Sequence, residues 1–122
     1  MYEYSAKVLN VVDGDTFDLL IDVGFNIHIK ERVRLSEVDA YEVRLGKKTN
    51  ELQKRKGIKA KGIAVELLEG KFVKVKTEKV SKGKYGRYII NLYYKTEDGN
   101  LIEWCDFAEY LLELKLAVRK SY

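Results

Sequence analysis

Arg34-Leu35-Ser36-Glu37-Val38-Asp39-Ala40-Tyr41-Glu42 is the stretch on which the reading of this chain turns. It closes a run in which Phe25, Ile27, Ile29, Val33 and Leu35 alternate with Asn26, His28, Lys30, Arg32 and Arg34. Side chains alternate faces along a strand, so this period predicts a long third strand with one face in the core and one in water. Glu31 interrupts the apolar series, and a bend or bulge is expected near it. Past the strand, Asp39 and Glu42 follow Arg34 with no helical pattern between them. A cation followed by two anions at the end of a half-buried strand suits a site for a metal and a phosphate together. It equally describes a polar turn holding a surface ion pair, which contributes little.

Length and composition narrow the chemistry. The 122 residues fit one domain, spanning 1–122, with a core that needs no staples. An apolar fraction of 46% beside 34% charged residues is that of a globular protein. Cys105 is the one cysteine, which excludes an internal disulfide framework. A zinc site or a Cys/His dyad would have to use His28 and Cys105 alone, and a serine triad would have to use His28. Any catalysis therefore falls to carboxylates, arginines and a hard metal.

The net charge of +4 is unevenly distributed. Residues 1–46 hold five basic and nine acidic side chains, whereas 47–61 and 71–87 each hold seven basic and one acidic. Two basic segments beside an acidic first third point to a polyanion partner and a cation site in one molecule. Met1-Tyr2-Glu3-Tyr4 has neither the cationic start nor the apolar core of a signal peptide, so a cytoplasmic location is the expectation. No apolar run reaches membrane-spanning length. A monomer is expected.

Along the chain, Ser5 to Val12 reads as a first strand. Asp13-Gly14 signals a tight hairpin turn, and Asp15 to Val23 forms the second strand with Phe17, Leu19, Ile21 and Val23 on one face. After the third strand and a basic linker, Asn50 caps a helix with Gln53 as reciprocal partner. Ala60, Ile63, Ala64, Leu67 and Leu68 mark its buried face, and Gly70 sits where a C-cap belongs. Gly57 and Gly62 each cost that helix about 1 kcal/mol relative to Ala. Lys71 to Thr77 is a fourth strand and Arg87 to Tyr94 a fifth, with a turn at Asp98-Gly99. From Trp104 the spacing becomes helical, with Trp104, Phe107, Ala108, Leu111 and Leu112 as an apolar stripe. The predicted class is α+β, mostly β. Five strands with one helix after the third and a C-terminal helix resemble the five-stranded OB-fold barrel.

Three separated pieces then ask for one explanation: Val11-Val12-Asp13-Gly14-Asp15-Thr16, Arg34 through Glu42, and Gly83-Lys84-Tyr85-Gly86-Arg87. Together they resemble the signature of the staphylococcal nuclease (thermonuclease) family, a D-G-D-T turn, an R-x-x-x-x-D-x-x-E segment and a K-Y-G-R loop in that order. The element order matches from about residue 5 to 119.

The resemblance implies that Asp15, Asp39 and the carbonyl of Ala40 hold a Ca²⁺ ion, which takes oxygen ligands in irregular geometry. It implies that Glu42 orients the attacking water or serves as general base. Arg34 and Arg87 would neutralise the scissile phosphate with bidentate forks, and Lys84 and Tyr85 would grip a neighbouring phosphate. The implied activity is Ca²⁺-dependent endonucleolytic hydrolysis of DNA and RNA, single-stranded or as frayed duplex, with weak sequence preference and 3′-phosphate products. The alternative is a non-catalytic OB-fold module that binds nucleic acid. Three positions depart from the family pattern: Ala40 stands for Thr, Tyr41 for Pro and Lys115 for the helix-ending Gly. Ala40 retains a backbone carbonyl and loses only a hydroxyl. Tyr41 loses the pre-set φ of proline and adds a ring suited to base stacking. Asp13 is read as support for the turn, His28 as a surface residue and Cys105 as packing near the last helix.

Overall fold

A computed structural model of the chain describes residues 2–36, 38–40, 51–77 and 88–119, with only the backbone at 39 and 40. Its elements run β1 (Tyr2–Asp13), β2 (Thr16–Asp22), β3 (His28–Leu35), β4 (Val38–Ala40), α1 (Glu51–Leu68), β5 (Phe72–Thr77), β6 (Tyr88–Asp98), β7 (Leu101–Asp106), α2 (Phe107–Glu113) and β8 (Ala117–Arg119). Strand β1 pairs antiparallel with β2 and β5, β2 with β3, and β5 with β6. The ring closes where β3 runs parallel to β6, through Val33↔Tyr88, Arg34↔Ile89 and Leu35↔Ile90. Five strands thus form the closed barrel of the OB fold expected from the sequence, and closure removes their free edges.

Alternation builds the core. Val8, Val11, Phe17, Leu19, Val33, Leu35, Val73, Val75, Ile90 and Leu92 are all buried in one cluster. Helix α1 adds Ala60, Ala64 and Leu68 to it, and Ile63 and Leu67 are half-buried beside them. Gly57 lies on the same buried face, whereas a Cβ at Gly62 would meet nothing within 4 Å among the described residues. The helix ends at Gly70 with φ +77°, whose N–H donates to the Val8 carbonyl at 2.8 Å and ties the helix end to β1. Asn50 lies outside the described residues.

Helix α2 starts three residues later than the apolar stripe suggested. The Asp106 carboxylate accepts from the Glu109 N–H at 3.3 Å and caps the helix, so Phe107 is its first residue. Phe107 then packs edge-on against Phe17 and Tyr94 in the barrel mouth. Trp104 belongs to β7, paired with Lys95, and lies outside the core. Only the later residues of the stripe pack as expected. Helix α2 ends in a Schellman motif, with the Leu116 N–H bonded to the Leu111 carbonyl and the Lys115 N–H to the Leu112 carbonyl. Lys115 takes φ +59° there, the conformation glycine would adopt freely.

Three further expectations need correction. Of the long third strand, only Val33 and Leu35 reach the core; β3 begins at His28, and Gly24, Phe25 and Asn26 form a turn with positive φ beyond the barrel rim. Phe25 is 98% exposed. The pairing of β2 with β3 runs without a register shift through Leu19↔Glu31, so no bulge forms at Glu31. The irregularities fall instead in β1, between Val8 and Asn10 and between Val11 and Asp13. In both Asp-Gly turns the aspartate is the last strand residue: Asp13 pairs with Thr16 and Asp98 with Leu101, leaving Gly14-Asp15 and Gly99-Asn100 as the turns. Among the described residues, β4, β7 and β8 add to the five expected strands, and β7 lengthens the sheet at β6. Among the described residues no helix is long and apolar enough to cross a membrane.

Candidate functional site

The turn after β1 places Asp15 against the end of β3. The Leu35 N–H donates to the Asp15 carbonyl at 2.9 Å, and Thr16 pairs with Arg34 across the β2–β3 ladder. This local register brings the Asp15 carboxylate to the Arg34 guanidinium, Oδ2 to Nη1 at 3.3 Å. The Thr16 hydroxyl donates to Asp15 Oδ1 at 3.0 Å. Asp15 is 5% exposed, and Asp15 and Thr16 are the buried polar residues of the described part of the chain. A carboxylate is kept out of water only where cations and hydrogen bonds compensate its desolvation, so the place where one is kept is a candidate site. Thr16 did not figure among the site residues expected from sequence, although the D-G-D-T motif contains it.

Two rungs along the ladder stands a conventional ion pair. Arg32 grips Asp18 through two bonds, Nε to Oδ1 at 2.8 Å and Nη2 to Oδ2 at 3.2 Å, and Asn10 Nδ2 adds a third contact to Asp18 at 3.4 Å. The hydrogen bond from Arg32 holds the Asp18 carboxyl below its ordinary range. Arg32 is thereby committed to Asp18 in water, whereas Arg34 points into the buried site. His28 is exposed at the opposite end of β3, opposite Asp22.

The chain leaves β3 under constraint. The Ser36 N–H donates to the Ile90 carbonyl at 2.8 Å, and the Ser36 hydroxyl donates to Asn91 Oδ1 at 2.8 Å. Val38 is buried, and β4 pairs with β8 through Val38↔Arg119, Asp39↔Val118 and Ala40↔Ala117. The backbone that carries Asp39 and Ala40 is therefore a strand braced by the C-terminal segment. Arg119 is itself held to Glu109 of α2 at 3.3 Å. On the other side, β6 opens at Tyr88 opposite Val33, beside Arg34.

Of the expected site residues, the structure brings Asp15 and Arg34 together and sets Asp39 and Ala40 in the strand that follows them. Glu42, Lys84, Tyr85 and Arg87 lie outside the described residues, as does Tyr41. Among the described residues, no three His, Cys, Asp or Glu side chains gather into a metal-binding group.

Among curated proteins, none matches the chain significantly. A family model does: residues 32–122 match the staphylococcal nuclease homologue family, a span that includes Arg34, the β4–β8 brace and the barrel closure by β6. The D-G-D-T turn lies before that span, and the pairing of Asp15 with Arg34 joins the two parts. With well over half of its length matched, on a five-stranded barrel with two helices, this chain belongs to the staphylococcal nuclease homologue family.

Proposed function

We propose that the chain is a Ca²⁺-dependent endonuclease that hydrolyses phosphodiester bonds of DNA and RNA with weak sequence preference, leaving 3′-phosphate ends. The observation that carries this reading is the Asp15–Arg34 pair, a buried carboxylate and a guanidinium side by side at the entry to β4, in a chain of a nuclease-type family.

Each residue has a part in the reaction. Arg34 and Arg87 hold the non-bridging oxygens of the scissile phosphate and neutralise the charge that grows on them in the transition state; a guanidinium fork suits this better than an ammonium. Glu42 orients a water or takes its proton as the water oxygen attacks phosphorus. The bond from phosphorus to the 5′ oxygen breaks and that oxygen takes a proton from solvent, leaving a 3′-phosphate and a 5′-hydroxyl. Lys84 and Tyr85 fix a neighbouring phosphate. The metal donors are the Asp15 and Asp39 carboxylates and the Ala40 carbonyl. All are oxygens, the set a hard cation takes, and Asp15 is a carboxylate already withdrawn from water. When bound, Ca²⁺ supplies Lewis-acid polarisation of the phosphate. The substrate is single-stranded or frayed nucleic acid, and the protein acts as a monomer.

The alternative is a non-catalytic OB-fold module that binds nucleic acid, which needs no metal and cleaves nothing. Cleavage of single-stranded DNA in Ca²⁺, in Mg²⁺ and in chelator, with Glu42→Gln as control, separates the two readings. Cleavage that needs Ca²⁺ and vanishes in the variant supports the enzyme. Oligonucleotide binding without cleavage in any metal would make it a binding module.

A further inference from the structure

The outer face of β5, β6 and β7 carries lysines and aromatic rings interleaved. Phe72 is 72% exposed, with Lys7 Nζ 5.9 Å from its ring centre. Lys74 Nζ lies 4.5 Å from the ring centre of Trp104, and Lys76 Nζ lies 4.9 Å from that of Tyr93. Register explains the order. Lys7 stands opposite Phe72, Ser5 opposite Lys74 and Glu3 opposite Lys76 on β1 and β5, and Lys74 stands opposite Tyr93 on β6. Strand β7 then sets Trp104 opposite Lys95, two rungs along from Tyr93. Four adjacent strands make a face about 14 Å across.

Its composition selects a partner. Three lysines on β1 and β5 face out, and Glu3, 3.9 Å from Lys74, offsets one of them. The Asp106 carboxylate at the margin caps α2, and Glu97 at the far margin is paired with Lys95 at 2.8 Å. Positive charge alternating with flat rings is complementary to a chain of phosphates alternating with flat bases. The face is also continuous with the candidate site: Asn91, which stands opposite Lys76, accepts the bond from Ser36 at the end of β3.

We propose that this face is a second binding track, on which single-stranded nucleic acid stacks bases on Phe72, Trp104 and Tyr93 and sets phosphates against Lys7, Lys74 and Lys76. The proposal deepens the nuclease reading and rests on its nucleic-acid part. The track holds the strand that flanks the cleaved bond, so it affects long substrates and leaves short ones alone.

Trp104 is the one tryptophan of the chain, 39% exposed, and serves as the reporter. Its fluorescence is followed while oligothymidylate is added in chelator, and cleavage of a dinucleotide is measured separately. Oligothymidylate is expected to quench Trp104. Phe72→Ala is expected to weaken binding of a twelve-nucleotide strand about tenfold. Lys74→Ala should lower the slope of log affinity against log salt by about 0.7. Dinucleotide cleavage is expected to stay at the wild-type level in both variants. Phe72 and Lys74 lie on the surface, so neither variant opens the core. Wild-type affinity for the strand in both variants, or equal quenching by polyglutamate, would overturn the track. Quenching without dinucleotide cleavage would retain the track and remove the catalytic reading. Cleavage with a silent Trp104 would do the reverse.

Discussion

Arg34 Nη1 lies 3.3 Å from Asp15 Oδ2, with side chains only 16% and 7% exposed, across a ladder that pairs Thr16 with Arg34. One short contact thus links the turn after β1 to the strand that leads into β4. Breaking a buried pair from one side leaves a charge short of a partner, which costs more than the pair itself contributes. Arg34→Ala is expected to destabilise the fold by about 3 kcal/mol. The double variant with Asp15→Asn should recover part of that loss. Urea unfolding of the double-mutant cycle measures it, and strictly additive effects would show that the two side chains do not interact.

Asp15→Asn bears on the metal as well. The carboxamide keeps the shape and the acceptor oxygen but loses the charge a hard cation needs. We expect Ca²⁺ affinity to fall at least tenfold, read by calorimetric titration, as one carboxylate of two is neutralised. An unchanged titration would remove Asp15 from the ligand set.

Glu42→Gln and Arg87→Ala are each expected to lower cleavage by about two orders of magnitude or more, because each removes a group that acts in the transition state. Circular dichroism and melting temperature should stay near the wild-type values. Wild-type-like turnover in either variant would take that residue out of the site.

Two substitutions should stabilise the fold without touching the site. Among the described residues a Cβ at Gly62 meets nothing within 4 Å, so Gly62→Ala in the interior of α1 should gain about 1 kcal/mol of helix propensity. Lys115 holds φ +59° at the end of α2, a conformation costly to any residue with a Cβ, so Lys115→Gly should gain about 1 kcal/mol. A fall in melting temperature for either would show that its backbone differs from the one described.

Tyr94 makes stability depend on alkaline pH. Burial, and then Cys105, Tyr110 and Glu113, push its phenol above the ordinary value of 10.0. The folded state therefore favours the neutral phenol. Its contribution is fully present below the unfolded value and is lost as pH rises from there through the folded value. Melting temperature against pH should fall more steeply above pH ~10 in the wild type than in Tyr94→Phe. Absorbance at the phenolate band should show a late-titrating tyrosine that the variant lacks.

Much of this architecture is legible in the sequence because its causes are local. Period-two alternation marked Phe17, Leu19, Val33 and Leu35 as core, and all are buried. Gly70 marked the end of α1 and adopts positive φ there. Helical spacing found Ala60, Ala64 and Leu68, and motif order pointed to the family that residues 32–122 match. Alternation reports a face but not where a strand leaves the barrel, so it puts Phe25, Ile27 and Ile29 toward the core, whereas all three are exposed. Likewise a stripe cannot say where a cap begins the helix, so it counts Trp104 with the helix, whereas Trp104 precedes the cap and is exposed.

By itself, then, the sequence determined the five barrel strands, the two helices, their order, and the charged residues available for chemistry. Each of these follows from spacing and from the φ that single residues prefer. Tertiary structure alone decided the parallel closure of β3 on β6, the bracing of β4 by β8, and the meeting of Asp15 with Arg34. It also aligned the lysines and rings of β5, β6 and β7 into one face. These are contacts between residues distant in the chain or across a ladder. Their free energy comes from burial and pairing that exist only once the barrel has closed.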